Sequence, residues 1–230
     1  MKKAPEVSII VPCVDMFQMT KKCIELIEKY TPPIYELIIV CDQPETEMVK
    51  WLKALENKGR TRVTINPNLI TSTIAVNTGI KMARGKYISL VMNDVTVTEG
   101  WLEPLLEVLK SHPEYGWVSS RIYRGDVEAK FGAMDCCVIS RELIDKVGLL
   151  DEIFSGGVGY DVNDYIRRMW AKGYSPHGVL RSTVYHPPEQ TTLKMLYGEE
   201  KIVRGATRNF LLFMQKWGNL PHETNMPFVE

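Results

Sequence analysis

The sequence has no net charge: 28 Lys and Arg balance 28 Asp and Glu over 230 residues. That balance argues against a nucleic acid or an anionic membrane as the dominant partner. Metal-type cysteine spacing is also missing. The five cysteines (Cys13, Cys23, Cys41, Cys136, Cys137) are odd in number and irregularly placed, which reads as reduced thiols in a cytosolic chain. Cys136 and Cys137 are adjacent, so on a strand they face opposite ways and make a poor pair of ligands for one ion. There is no long apolar run at the start. "MKKAPEVSIIVPCVD" is stopped by Pro12 and Asp15, too short for a signal peptide or a membrane span. Internal repeats, low-complexity tracts and an obvious linker are absent too, so one long domain is expected over 1–218, with a loosely held tail over 219–230. The cluster "GGVG" (Gly156–Gly159) has no Lys-Ser or Lys-Thr after it. That excludes a phosphate loop and leaves a mobile lip as its reading.

What is present is a strong alternation. "VSIIVP" (Val7–Pro12), "ELIIVCD" (Glu36–Asp42), "RVTIN" (Arg62–Asn66) and the run ending in "VMND" at Asp94 read as strands. Between them, Met19–Tyr30, Thr46–Asn57 and Thr71–Gly85 carry apolar residues at helical spacing and end on Pro or Gly signals. Continuous apolar strands alternating with helices imply an α/β fold, with a parallel sheet covered on both faces. Ligands of such sheets bind beyond the carboxyl ends of the strands. Polar residues gather at those ends: Asp15, Asp42, Asn66 and Asn93-Asp94.

The second half has a different rhythm. A helix is expected over 100–114, strands over 115–123 and 130–140, and a short helix over 141–152. A glycine-rich loop then feeds a helix up to Tyr174, a strand runs from Gly178 to His186, and an amphipathic helical region spans 192–218. Asp161 and Asp164 stand three residues apart at a helix start, a spacing that can put both on one side. Trp101, Trp117 and Trp170 read as buried core.

Several segments, in order, resemble the inverting nucleotide-sugar glycosyltransferases of family 2, which have the GT-A fold. They are "VSIIVPCVDMF", "ELIIVCDQPET", "NPNLITSTIAVNTGIKMARGKYISLVMND", "GAMDCCVISRELIDKVGLLDEIF", "YDVNDYIRRMWAKGY", "VYHPPEQTT" and "NFLLFMQKWG". The resemblance covers roughly residues 6–218 and rests on order and spacing together. It implies a Rossmann-like, mostly parallel central sheet flanked by helices. About 1–98 would be the nucleotide-sugar half, and 99–218 a smaller acceptor-side half.

The resemblance also implies roles. The donor would be a nucleoside diphosphate sugar (UDP, dTDP or GDP), the acceptor a glycan or other hydroxyl, and the cofactor Mn2+ or Mg2+. The setting would be glycan or polysaccharide synthesis, cytoplasmic or peripheral at a membrane. Pro12, Val14, Asp15, Asp42, Asn66, Asn77, Asn93 and Asp94 would contact the donor, with Asp42 taking a nucleobase N–H. The usual Asp-x-Asp metal motif falls on Met92-Asn93-Asp94, so Met replaces its first acid and Asp94 remains. His186 would be the second protein ligand or a diphosphate contact, and an imidazole suits Mn2+ better than Mg2+. The usual Glu-Asp pair falls on Asp161-Val162. That leaves Asp161 as the favoured base, by a one-residue shift, and Asp164 as the alternative. Met92 and Val162 also feed a second reading: a weak or inactive relative that binds a nucleotide-sugar or a protein. A nucleotidyltransferase would want a basic glycine-rich loop after the first strand, and "VPCVDMFQM" is neither.

Overall fold

Strands that are apolar on both faces need cover on both faces, and helices on each side supply it. The computed structural model describes residues 4–125, 127–129, 134–156, 159–187, 191–219 and 227–229. Strands β1 (Val7–Val14), β2 (Tyr35–Asp42), β3 (Thr61–Asn66) and β4 (Tyr87–Val91) alternate with helices α1 (Phe17–Tyr30), α2 (Thr46–Asn57) and α3 (Ser72–Met82). A two-residue strand β5 (Thr96–Val97) follows, then α4 (Glu103–Ser111) and a 3-10 turn. Next come β6 (Trp117–Arg124), β7 (Val127–Ala129), β8 (Cys136–Ser140) and α5 (Arg141–Val147). After a second 3-10 turn (Glu152–Gly156), α6 (Asp161–Trp170), β9 (His177–His186), α7 (Thr191–Trp217) and β10 (Phe228–Val229) complete the described elements.

Ten described strands form one sheet, ordered β10-β9-β6-β8-β4-β1-β2-β3 with β5 on β9 and β7 on β6. Parallel pairing joins β4 to β1, β1 to β2, β2 to β3 and β6 to β9. Strand β8 is antiparallel to both β4 and β6. Two reversals cancel, so β6 and β9 run in the direction of β1–β4. Their carboxyl ends share one edge of the sheet.

Period-two alternation sorts the core into two layers. Ile9, Val11, Leu37, Ile39 and Cys41 pack with α1, α2 and α4. Ile10, Ile38, Val40, Ile88 and Leu90 pack with α3, α5 and α6. Cys136 belongs to the first layer and Cys137 to the second, the opposite facing expected of adjacent strand residues. Trp101 and Trp117 are fully buried, but Trp170 is 39% exposed. It closes α6, where the helix passes its last packed turn, so the core expectation fails there. The helical region 192–218 is broken at Gly198, whose φ of 67° and ψ of 161° are not helical. The strand expected over 130–140 is described from Cys136; residues 130–133 lie outside the described set. The lip expected at 156–159 includes 157 and 158, which also lie outside it.

In the tail expected to be loose, residues 220–226 lie outside the described set, while Phe228 and Val229 pair with Gly178 and Val179. Gly178 permits this, because a Cβ there would come 2.5 Å from Phe228 Cε1.

At the opposite edge of the sheet, Ser8 Oγ donates to Glu36 Oε1 (2.7 Å) and accepts from the Gly85 amide (2.8 Å). Arg84 N–H also donates to Glu36 Oε1 (2.7 Å), and Arg141 donates to the carbonyls of Ala83 and Gly85. The 83–85 turn thus sits hard against β1. A Cβ on Gly85 would lie 2.6 Å from Ser8 N and 2.8 Å from Val7 C. Both are backbone atoms and cannot swing aside. Gly85→Ala is therefore expected to cost about 2–3 kcal/mol of stability, as an overpacking change. Urea unfolding measures it, and an unchanged midpoint would contradict the close approach.

Candidate active site at the carboxyl edge of the sheet

The carboxyl ends of β1, β2, β3, β4 and β9 bring Asp15, Asp42, Asn66, Asp94 and His186 to one edge. Asp42 is buried at the end of β2. Its Oδ1 accepts from Asn66 Nδ2 (2.8 Å) and its Oδ2 from the Ile70 amide (2.8 Å). Burial raises its pKa, and these two hydrogen bonds oppose the rise. Each carboxylate oxygen keeps a lone pair for a further donor. Pro12 and Val14 lie on β1, with Val14 in register beside Asp42. Asp15 Oδ1 accepts from the Glu45 amide (3.1 Å) and holds the start of α2. A cavity of about 480 Å³ opens beside it, lined by residues that include Met16, Phe17, Glu45 and Met48.

Among the described residues, three non-glycine residues have left-handed backbone: Met16 (φ 53°), Gln43 (φ 47°) and Tyr160 (φ 68°). Each is the chain neighbour of an acid singled out above: Asp15, Asp42 and Asp161. Such conformations are costly and cluster at functional sites.

Asp94 and His186 are far apart in sequence but meet through the sheet. Antiparallel pairing of Thr96 with Tyr185 and Val97 with Val184 runs toward both residues, and Thr98 Oγ1 ties in by donating to the Thr183 carbonyl (2.7 Å). His186 Nε2 lies 3.3 Å from Asp94 Oδ1. That oxygen is buried and accepts no well-formed hydrogen bond. His186 Nδ1 is 2.8 Å from the Pro187 carbonyl. A carbonyl only accepts, so Nδ1 carries the proton and, in the neutral ring, the Nε2 lone pair faces the carboxylate. Two lone pairs face to face need a cation between them or a proton on the ring. Without a metal, burial lowers the His186 pKa, but Asp94 outweighs it and holds it above the ordinary value.

The same geometry fits a divalent ion. Adjacent ligands of an octahedral ion at about 2.1 Å stand about 3 Å apart, close to the observed separation. An imidazole whose other N–H is held by a backbone carbonyl is the usual orientation of a metal-bound His. Among the described residues no group of three His, Cys, Asp or Glu side chains could hold a metal; Asp94 and His186 form a pair.

The two candidate bases separate. Asp161 begins α6; its Oδ2 accepts from Thr73 Oγ1 (2.9 Å) and its Oδ1 from the Val162 amide (2.9 Å). Asp164 is fully buried. Its Oδ2 accepts from Arg168 Nε (2.8 Å), and its Oδ1 from Trp217 Nε1 (2.9 Å) and Lys216 Nζ (2.7 Å). Those partners make Asp164 the anchor of α7 on α6 and occupy both of its oxygens. The two acids therefore face different partners.

Asn77 also has another use. Its Nδ2 donates to the Leu150 carbonyl (3.0 Å) and Glu152 Oε1 (2.9 Å), and its Oδ1 accepts from the Leu150 amide (3.0 Å). The amide braces α3 against the segment after α5. Asn93 is buried and donates to Thr20 Oγ1 (3.0 Å) on α1. Thr20, Thr73 and Asp135 carried no sequence signal. Asp135 accepts from Arg124 Nη2 (3.0 Å), and its carbonyl takes the Met92 amide (2.9 Å). Only the antiparallel course of β8 puts it beside the end of β4, and local patterns do not reveal that course.

A model of glycosyl transferase family 2 matches residues 8–157. The chain belongs to that family. Among solved structures it is similar to the mannosyltransferase PcManGT from Pyrobaculum calidifontis, determined in complex with GDP-Man and Mn2+. The TM-score is 0.70 at 12% identity, over 93% of this chain and 65% of that one. Identity at that level speaks for the fold alone, which is the GT-A fold; this family 2 chain spans about two thirds of the mannosyltransferase's length. No curated protein sequence matches it.

The division of labour between the two acids of α6 predicts opposite mutant behaviour. Asp164→Ala leaves Arg168 and Lys216 without their buried partner and is expected to cost about 3 kcal/mol of stability. Asp161→Asn is expected to change stability by less than about 1 kcal/mol. Urea unfolding of both variants checks this, and the reverse order would overturn the assignment.

Proposed function

We propose that this chain transfers a sugar from a nucleoside diphosphate sugar to an acceptor hydroxyl, with inversion at the anomeric carbon and with a divalent ion at the diphosphate. The observation that carries the reading is the facing pair of Asp94 Oδ1 and His186 Nε2, 3.3 Å apart, at the strand-end edge that also holds Asp42. Asp94 and His186 would hold Mn2+ or Mg2+. Such an ion, when bound, would neutralise the charge that develops on the leaving diphosphate. The complex of the mannosyltransferase with GDP-Man and Mn2+ supports both the donor class and the metal.

The protein's own groups account for the remaining steps. Asp42 would accept an N–H from the nucleobase, which suits uracil, thymine or guanine, with Pro12 and Val14 as the wall of that pocket. Asp161 would take the acceptor's hydroxyl proton as its oxygen forms a bond to the anomeric carbon. The bond from that carbon to the diphosphate breaks on the opposite face, and its electron pair leaves with the nucleotide. The proton stays on Asp161. One displacement inverts the centre, and with Asp164 tied to Arg168, Lys216 and Trp217 the mechanism uses a single carboxylate at this position.

All five cysteines are free and buried. Burial raises the thiols of Cys23, Cys136 and Cys137, with Cys136 at about 12, so no thiolate nucleophile enters the scheme. Reduced thiols support a cytoplasmic setting. Among the described residues no helix is long and apolar enough to cross a membrane.

The test is release of nucleoside diphosphate from UDP-, GDP- and dTDP-sugars with Mn2+. Asp94→Ala and His186→Ala are each expected to lower turnover by about 10²–10³-fold, and to weaken Mn2+ binding measured by electron paramagnetic resonance with nucleotide present. Asp161→Asn is expected to lower kcat by about 10²–10⁴-fold while nucleotide binding persists. No turnover of any donor, and no metal-dependent nucleotide binding, would instead identify a binding module.

A further inference from the structure

Thr73 is the second residue of α3 and is 3% exposed. A helical threonine commonly returns its hydroxyl to the carbonyl one turn back. Thr78 on the same helix does so, donating to the Ile74 carbonyl (2.9 Å). Thr73 instead donates out of its helix to Asp161 Oδ2 (2.9 Å), across 88 residues of sequence. The other oxygen of Asp161 is held by the neighbouring Val162 amide (2.9 Å). The carboxylate is thus gripped on one side by its own backbone and on the other by a helix of the nucleotide-binding half.

The same stretch of chain is fixed at its other end. Asn66 Nδ2 and the Ile70 amide hold the two oxygens of Asp42, both at 2.8 Å. Ile70 precedes Thr73 by three residues, and the first turn of α3 closes between Thr71 O and Ala75 N (3.0 Å). Residues 66–73 therefore form a short, doubly anchored connection. It begins on the acid assigned to the nucleobase and ends on the acid assigned to the acceptor proton.

We propose that Thr73 is a positioning residue that aims the Asp161 carboxylate, and that segment 66–73 couples this aim to Asp42. The proposal rests on the reading of Asp161 as the base. Thr73 touches neither substrate nor nucleotide; it acts through Asp161. Its hydroxyl fixes the rotation of the carboxylate, and the anchored segment keeps that hydroxyl in place when Asp42 engages a donor.

The experiment compares Thr73→Val, which keeps the shape and loses the hydroxyl, with Thr73→Ser, which keeps the hydroxyl. The assay is nucleotide release from GDP-mannose and UDP-glucose with Mn2+. Thr73→Val is expected to lower kcat by about 10- to 100-fold, the scale of a misplaced catalytic group, with KM for the donor and the melting temperature unchanged. Thr73→Ser is expected to restore kcat. An unchanged kcat in Thr73→Val, a loss carried by KM, or no rescue by serine each overturns the proposal. Coupling is read from a double-mutant cycle with Asp42→Asn: losses in kcat that are not additive support it, and additive losses remove it. Asp161→Asn is the separate control, since wild-type turnover in that variant defeats the base assignment itself. A crystal structure of Thr73→Val judges the positioning claim without any assay. The Asp161 carboxylate is expected to turn from its wild-type rotamer, and a carboxylate that stays in place overturns the proposal.

Discussion

A parallel sheet covered on both faces has no room for a carboxylate along its inner strands. Each position of β1, β2 and β4 that points up or down meets a helix, and an unpaired charge there would be prohibitively costly. Polar side chains are driven to the strand ends. At the amino-end edge they close the fold: Ser8 and Glu36 hold the 83–85 turn through the Arg84 and Gly85 amides. At the carboxyl-end edge they meet one another: Asp42 takes Asn66, and Asp94 faces His186. The location of the site follows from this exclusion before any residue is given a chemical role.

The exclusion also explains the two places where the chain departs from the pattern of its family. Met92 packs against both core layers, and its backbone is engaged by Asp135, Cys23 and Val95. Its half-buried side chain packs against the core, where an acid would lie against apolar groups. Val162 packs against the layer formed by α3, α5 and α6, whereas Asp161, one residue earlier, turns toward Thr73. A shift of one residue at a helix start rotates the side chain by about 100°. That is enough to exchange a core position for the one facing α3. Both are thus apolar residues at apolar positions, close in the chain to polar residues that face His186 and Thr73 across the fold.

Much of the first half was legible in the sequence because its signals are local. Unbroken β-branched runs, helical spacing and glycine or proline stops place β1–β4 and α1–α3 within a few residues of their observed bounds. The second half was legible element by element but not as a sheet. Strand β5 has two residues and β10 has two, too few for any periodicity to register. Yet β5 is what carries Asp94 to His186. The roles of Asn77, Asp164 and Thr73 were hidden for a related reason. An amide, a carboxylate and a hydroxyl on a helix look the same in sequence whether they face a ligand or another part of the fold. Their partners lie 73, 53 and 88 residues away, and only the packed fold decides between the two uses.

The links between helices give the arrangement its mechanical sense. Strands β1–β4 are held by a continuous ladder between two core layers, so Asp42 and Asp94 sit on a firm base. Asp161 stands at the start of α6. Asp164 ties α6 to α7, and Asn77 ties α3 to the segment before α6. Thr73 ties α3 to Asp161 itself. A proton acceptor must be held within a fraction of an ångström of its working position. Burying the Asp161 carboxylate to hold it would remove it from the acceptor. Asp161 is instead half-buried and its partner Thr73 buried, so that, on the proposed reading, α3 would supply the precision while the carboxylate could still be reached by a substrate.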